Sequence, residues 1–154
     1  MNLNLKGLSE EQKQRAKRIA GEILVEEINA SLDRSTSPVK GGKYKRKKKD
    51  GTDSELFEFG DMRASISFEE QQDDSVTVGI FENAAQVERL KAFNHNSKKS
   101  KNAPLPQRRF IAAPNQVFTD DIMNRVNSAI DEIKEDAEIE RELNDLLAQE
   151  ILNG

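Results

Sequence analysis

Apolar side chains along this chain recur first at helical spacing, then at strand spacing, then at helical spacing again. Over residues 9–32, Ala16, Ile19, Ala20, Ile23 and Ile28 fall three to five residues apart, with Leu24 beside them and Glu, Gln, Lys and Arg filling most other positions. That spacing predicts an amphipathic helix. Ser9 followed by Gln12 fits a capping box, in which each residue satisfies a free backbone donor at the helix start. Gly21 interrupts the pattern at a cost of about 1 kcal/mol relative to Ala. A close helix contact would explain it, but the plainer reading, adopted here, is a tolerated surface glycine.

The period then changes. Ile66 and Phe68 begin an alternating stretch, residues 71–74 are polar, and Val76, Val78 and Ile80 alternate with Thr77 and Gly79. This predicts a β-hairpin with one buried face. Residues 83–93 read as a short helix or irregular segment. Residues 105–113 read as a short strand or extended segment, placed at an edge by Pro106. Over residues 115–152 the helical period returns in two stripes. The first is Ile122, Val126, Ala129, Ile130, Ile133 and Ala137, and the second is Leu143, Leu146, Leu147 and Ile151. The acidic run from residue 135 to residue 138 between them suggests an interruption and a separate final helix. The predicted class is α+β: a small antiparallel sheet, with residues 105–112 as a further edge, an N-terminal helix and a long C-terminal helix packed against it. The 154 residues fit one domain.

Two long connections stand apart from this pattern. Residues 33–54 contain Ser35, Ser37 and Pro38, which stop the first helix, then Gly41 and Gly42, a lysine run, and the turn signal Asp50-Gly51. A loop of this length is expected to be functional or disordered. Residues 94–104 form a second polar loop with Lys98, Lys99 and Lys101.

Charge sharpens the picture. The formal net charge is only −4, but the signs are segregated. Residues 40–49 carry seven cations and no anion: Lys40, Lys43, Lys45, Arg46, Lys47, Lys48 and Lys49. Residues 120–150 carry eleven acids against Arg125, Lys134 and Arg141. The single domain thus has a basic loop, expected to be mobile, at 33–54 and an acidic helical extension at 135–154. Hydrophobic residues make up 35% and charged residues 34% of the chain, so there is little apolar material for a core, and association is an economical way to bury more.

Chemistry is sparse. With no cysteine, disulfides, thiolate nucleophiles and thiolate metal sites are excluded. His95 is the single histidine, in a polar loop without a nucleophile elbow around any serine. The stretch from Asp50 to Glu55 lacks the ligand order of a calcium loop. Gly41-Gly42-Lys43 is followed by Tyr44 where a phosphate loop needs Ser or Thr. No catalytic, cofactor-binding or metal-binding residue is therefore assigned, and the chain is read as a non-enzyme without cofactors. Residues 1–7 lack the basic and apolar regions of a signal peptide, and no apolar run reaches membrane-spanning length. A location in the cytoplasm, or in a particle assembled there, is expected.

A basic run with Tyr44 could also attract a nucleic acid. The alternative function is accordingly a nucleic-acid-binding accessory protein acting through residues 40–49. Against it, the chain is acidic overall, aromatics are 5%, and no nucleic-acid-binding motif is present.

The order of four short segments is more specific. Leu56-Phe57-Glu58-Phe59-Gly60-Asp61-Met62-Arg63-Ala64-Ser65-Ile66 resembles the Thr-Gly-x-Leu-Arg-x-Ser-Ile segment of the tail-completion, or neck, proteins of tailed bacteriophages, also called virion-morphogenesis proteins. Val76-Thr77-Val78-Gly79-Ile80 is similar to the Val-Gly end of the hairpin that follows in that family. Ala92-Phe93-Asn94-His95-Asn96 then stands where the family has an aromatic or small residue and a histidine. Leu105-Pro106-Gln107-Arg108-Arg109-Phe110-Ile111 resembles its Pro-x-Arg-x-Phe-Leu segment, and a C-terminal helix closes both. Phe59 and Met62 depart from the usual Thr and Leu. The resemblance spans roughly residues 9–140.

It implies a structural virion protein that joins the tail to the head connector. Subunits would form a ring, most often sixfold, at the neck around the DNA channel. Partners would be further copies of the chain, connector or adaptor proteins, and tail-terminator or tail-tube proteins. DNA would pass without specific binding, and no membrane would be involved. Gly60, Met62, Arg63, Ser65, Ile66, Gly79, His95, Pro106, Arg108, Arg109 and Phe110 are the motif residues, read mainly as packing signatures, with Phe110 in the core. The basic residues from Lys40 to Lys49 are the candidate interface.

Overall fold

A computed structural model describes residues 1–34, 36–42, 64–81 and 117–153. Among these residues four elements follow in chain order: α1 (Glu10–Asp33), β1 (Ser67–Glu70), β2 (Val76–Gly79) and α2 (Asp120–Asn153). The fold is α+β, with α1 packed against both the hairpin and α2.

Helix α1 begins where the capping box predicts. Gln12 N donates to Ser9 Oγ at 3.3 Å, and Ser9 N donates to Gln12 Oε1 at 2.9 Å. Glu10 and Glu11 fill the first turn, where carboxylates suit the positive end of the helix dipole. Its inner face buries Ala16, Ala20, Ile23, Leu24, Ile28 and Leu32. Arg34 caps the end, its N–H donating to Ala30 O at 3.1 Å.

Gly21 is not a surface residue. It is buried, and the Phe68 ring of β1 fills the space a side chain there would take. The glycine marks a close approach of sheet to helix, which overturns the surface reading. The missing β-carbon lets the ring lie directly on the helix backbone.

Strands β1 and β2 pair antiparallel, with Ser67 opposite Gly79 and Glu70 opposite Val76. The hairpin turn is tied down from two sides. Gln71 N donates to Ser75 O at 3.1 Å, and the buried Lys17 of α1 donates from Nζ to Gln71 O at 2.6 Å. That bond gives the lysine head a partner that a buried cation requires.

The N-terminal residues also join the sheet. Asn2 forms an antiparallel bridge with Ser75. Leu3 N donates to Asp74 O at 2.8 Å, and Val76 N donates to Met1 O at 3.0 Å. Leu3, Leu5 and Leu8 then enter the core, Leu5 with no exposed surface. The main apolar cluster gathers these three with the inner face of α1, Ile66, Val76 and Ile80 of the hairpin region, and Phe118, Ile122, Val126, Ile130, Ile133 and Ala137.

Two further expectations need correction. Residues 33–54 do not all leave the body: Val39 is buried and bridges Phe118 in antiparallel pairing. Lys40 N donates to Val117 O and Thr119 N to Pro38 O, both at 2.8 Å. This bridge keeps residues 117–119 extended, so the last helix starts at Asp120 rather than at 115. Nor does that helix break at its acidic run. α2 is continuous from Asp120 to Asn153. Repulsion among solvated carboxylates is weak beside an unbroken backbone hydrogen-bond ladder, and Glu is itself a good helix former.

The proposed extra edge at residues 105–112 and the segment 83–93 lie outside the described residues. Among the described residues no helix is long and apolar enough to cross a membrane.

Candidate assembly surface

Helix α2 changes character along its length. Up to Ala137 its apolar residues Ile122, Val126, Ile130, Ile133 and Ala137 are buried. From Glu138 onward every described residue is exposed. Yet this distal half is rich in large apolar side chains. Ile139, Leu143, Leu146 and Leu147 are each more than half exposed, and Ile151 is 81% exposed.

At about 100° per residue these five side chains fall on one side of the helix. That side is turned roughly a quarter of the circumference from the buried stripe. The direct continuation of the buried stripe would run through Glu140, Asn144 and Ala148 to Ile151, so of the five only the last lies on it. The distal apolar stripe is therefore a second surface, not a failed continuation of the first. At a rise of about 1.5 Å per residue, the part beyond Ala137 projects some 24 Å from the body. The stripe is bordered by Glu138, Glu142 and Asp145, and Glu150 stands within it.

Ion pairs decorate the rest of α2. Arg125 donates through Nη1 to Glu27 Oε1 at 2.7 Å and through Nη2 to Glu26 Oε2 at 3.2 Å. The bond to Glu27, then that to Glu26, raise the guanidinium pKa above its ordinary value. Both acids sit on α1, so this fork links the two helices at the surface. Nearer the acidic run, Arg15 and Arg18 of α1 and Asp136 and Glu140 of α2 line an open cleft of about 430 Å³. Its walls carry both charge signs, and it holds no nucleophile paired with a base. Among the described residues no group of three or more His, Asp and Glu side chains is placed to hold a metal ion.

The motif residues divide between described and undescribed segments. Ile66 is buried in the core at 5% exposure, and Ser65 beside it is half-buried. Gly79 ends β2 opposite Ser67. A β-carbon there would meet Phe81 at ordinary contact distance, so the described backbone does not itself demand glycine. Gly60, Met62, Arg63, His95, Pro106, Arg108, Arg109 and Phe110 lie outside the described residues. So do Lys43, Lys45, Arg46, Lys47, Lys48 and Lys49. Lys40 is described: its Nζ pairs with Asp120 Oδ1 at 3.2 Å, both side chains being largely exposed. The acid it meets is at the start of α2.

The exposed distal stripe is the feature that sequence reading left unassigned. Four of its five positions, Leu143, Leu146, Leu147 and Ile151, were visible as a second helical stripe, but nothing in their spacing distinguishes a surface that folds inward from one left for a partner. Comparison of this chain with protein-family models, with curated proteins and with solved structures finds no match.

Proposed function

We propose that this chain is a structural protein of a tailed-phage particle. It closes a ring at the neck and joins the tail to the head connector around the DNA channel. The observation that carries an assembly role is the distal half of α2: an apolar stripe more than half exposed on a helix that leaves the body. Contiguous exposed apolar surface of this kind marks an interaction site. The neck assignment itself is supported by the order of the four sequence segments that resemble tail-completion proteins, at residues 56–66, 76–80, 92–96 and 105–111.

A closed ring suits such a protein because cyclic symmetry leaves no unpaired subunit interface. A role without bond-making chemistry also accords with the lack of cysteine and the single histidine. The test is an electron-microscopy map of the particle that contains this chain. A ring of its subunits between connector and tail is expected. A complete neck density into which this chain does not fit would overturn the reading.

A further inference from the structure

We infer that the distal half of α2 is a docking site for an amphipathic helix of another protein, one whose apolar stripe is flanked by Lys and Arg. The inference rests on the same helix surface that carries the assembly role and does not depend on the neck assignment. Ile139, Leu143 and Leu146 advance by four and then three residues, the step that lays a seam along one helix face for a second helix. Leu147 and Ile151 widen the seam on one side, and all five are exposed.

The next seam position is Glu150. A carboxylate there must keep a cationic partner when the seam is covered, because an unpaired buried charge is strongly unfavourable. The borders point the same way. Glu142 borders the seam on one side, with Glu138 and Asp145 behind it, Glu140 lies on the other side, and Arg141 is the single basic residue beyond Lys134. A second copy of the same helix would bring more acid to these borders and no cation to Glu150, since its Arg141 lies on the opposite side of the helix from the seam. Interhelical charge at such flanking positions sets partner choice. The surface thus rejects its own copy and selects a basic one.

The full chain can be titrated with two synthetic helical peptides, one built of Leu and Lys heptads and one of Leu and Glu heptads, and followed by fluorescence anisotropy. The Leu–Lys peptide is expected to bind and the Leu–Glu peptide not to. In the variant Leu143→Ser/Leu147→Ser, which keeps every charge, affinity for the Leu–Lys peptide should fall at least about tenfold, the loss of two buried apolar contacts. Circular dichroism of the variant checks that the helix persists. Equal binding of both peptides, no binding of either, or unchanged binding by the variant would each overturn the inference. So would sedimentation showing that the wild-type chain dimerises and the variant does not, since the stripe would then belong to a second copy. Adsorption to neutral phosphatidylcholine vesicles, lost in the variant, would assign the stripe to a membrane and overturn it equally.

Discussion

Gly21 of α1 and Phe68 of β1 share one site: the phenylalanine ring occupies the volume that a β-carbon on residue 21 would need. The contact involves the ring near its root as well as its edge, so the side chain cannot swing clear at its tip alone. The hairpin and the helix meet at this point, and the closeness of the meeting depends on one missing methyl group.

Gly21→Ala should therefore destabilise the protein. Overpacking costs about 1–3 kcal/mol and the gain in helix propensity returns about 1, leaving a net loss of up to about 2 kcal/mol. Urea unfolding monitored by circular dichroism measures it. In a Phe68→Leu background the loss should shrink, because the shorter side chain leaves room. A Gly21→Ala protein more stable than wild type would show that the ring yields without strain.

The two halves of α2 should respond differently to the same kind of truncation. Ile130 is buried at 3% exposure and Leu147 is 56% exposed. Ile130→Ala is expected to cost about 2–5 kcal/mol. Leu147→Ala should change stability by no more than about 0.5 kcal/mol. Thermal melts of the two variants at low protein concentration make the comparison. A large loss in the Leu147 variant would mean that the stripe is already covered in the free protein.

Arg125 carries an exposed fork to Glu27 and Glu26. Solvent screening limits its value, so Arg125→Ala should cost about 0.5 kcal/mol, and less at high salt. The raised arginine pKa fixes the sign of the alkaline dependence. The stabilisation is fully present below the ordinary arginine pKa and is lost only as pH rises through the raised value. Stability differences between wild type and variant should thus stay level from neutral pH into the range where lysine titrates. A difference that vanished near neutral pH would contradict this.

The lysine run separates the neck reading from the nucleic-acid alternative. Replacing Lys45, Arg46, Lys47, Lys48 and Lys49 with Ser is expected to impair joining of head and tail without changing the affinity of the subunit for duplex DNA. Binding of duplex DNA by the wild-type chain at physiological salt, with a steep salt dependence that the variant loses, would favour the alternative.

Much of the frame was legible because local signals agreed with the fold. The Ser9–Gln12 pair announced the start of α1, and alternation around the polar residues 71–74 announced the hairpin. The stripe from Ile122 to Ala137 announced the packed half of α2. Other features were hidden for physical reasons. The role of Gly21 depends on a residue far away in sequence, and a glycine in a helix pattern looks the same whether it faces solvent or a ring. Val39 lies between loop-forming residues and is buried only because Phe118 comes to it. The Asn2-Leu3-Asn4-Leu5 alternation was a usable strand signal, but a stretch that short gains its meaning only from the edge of β2. For the candidate surface, the apolar positions could be read and their exposure could not, since burial depends on what the rest of the chain brings near.

The bridge between Val39 and Phe118 ties the exit of α1 directly to the entry of α2, and Lys40 N and Thr119 N reinforce it from either side. The two long helices are thereby clasped at one end: a helix that swung away there would first have to give up the backbone bonds from Lys40 N to Val117 O and from Thr119 N to Pro38 O.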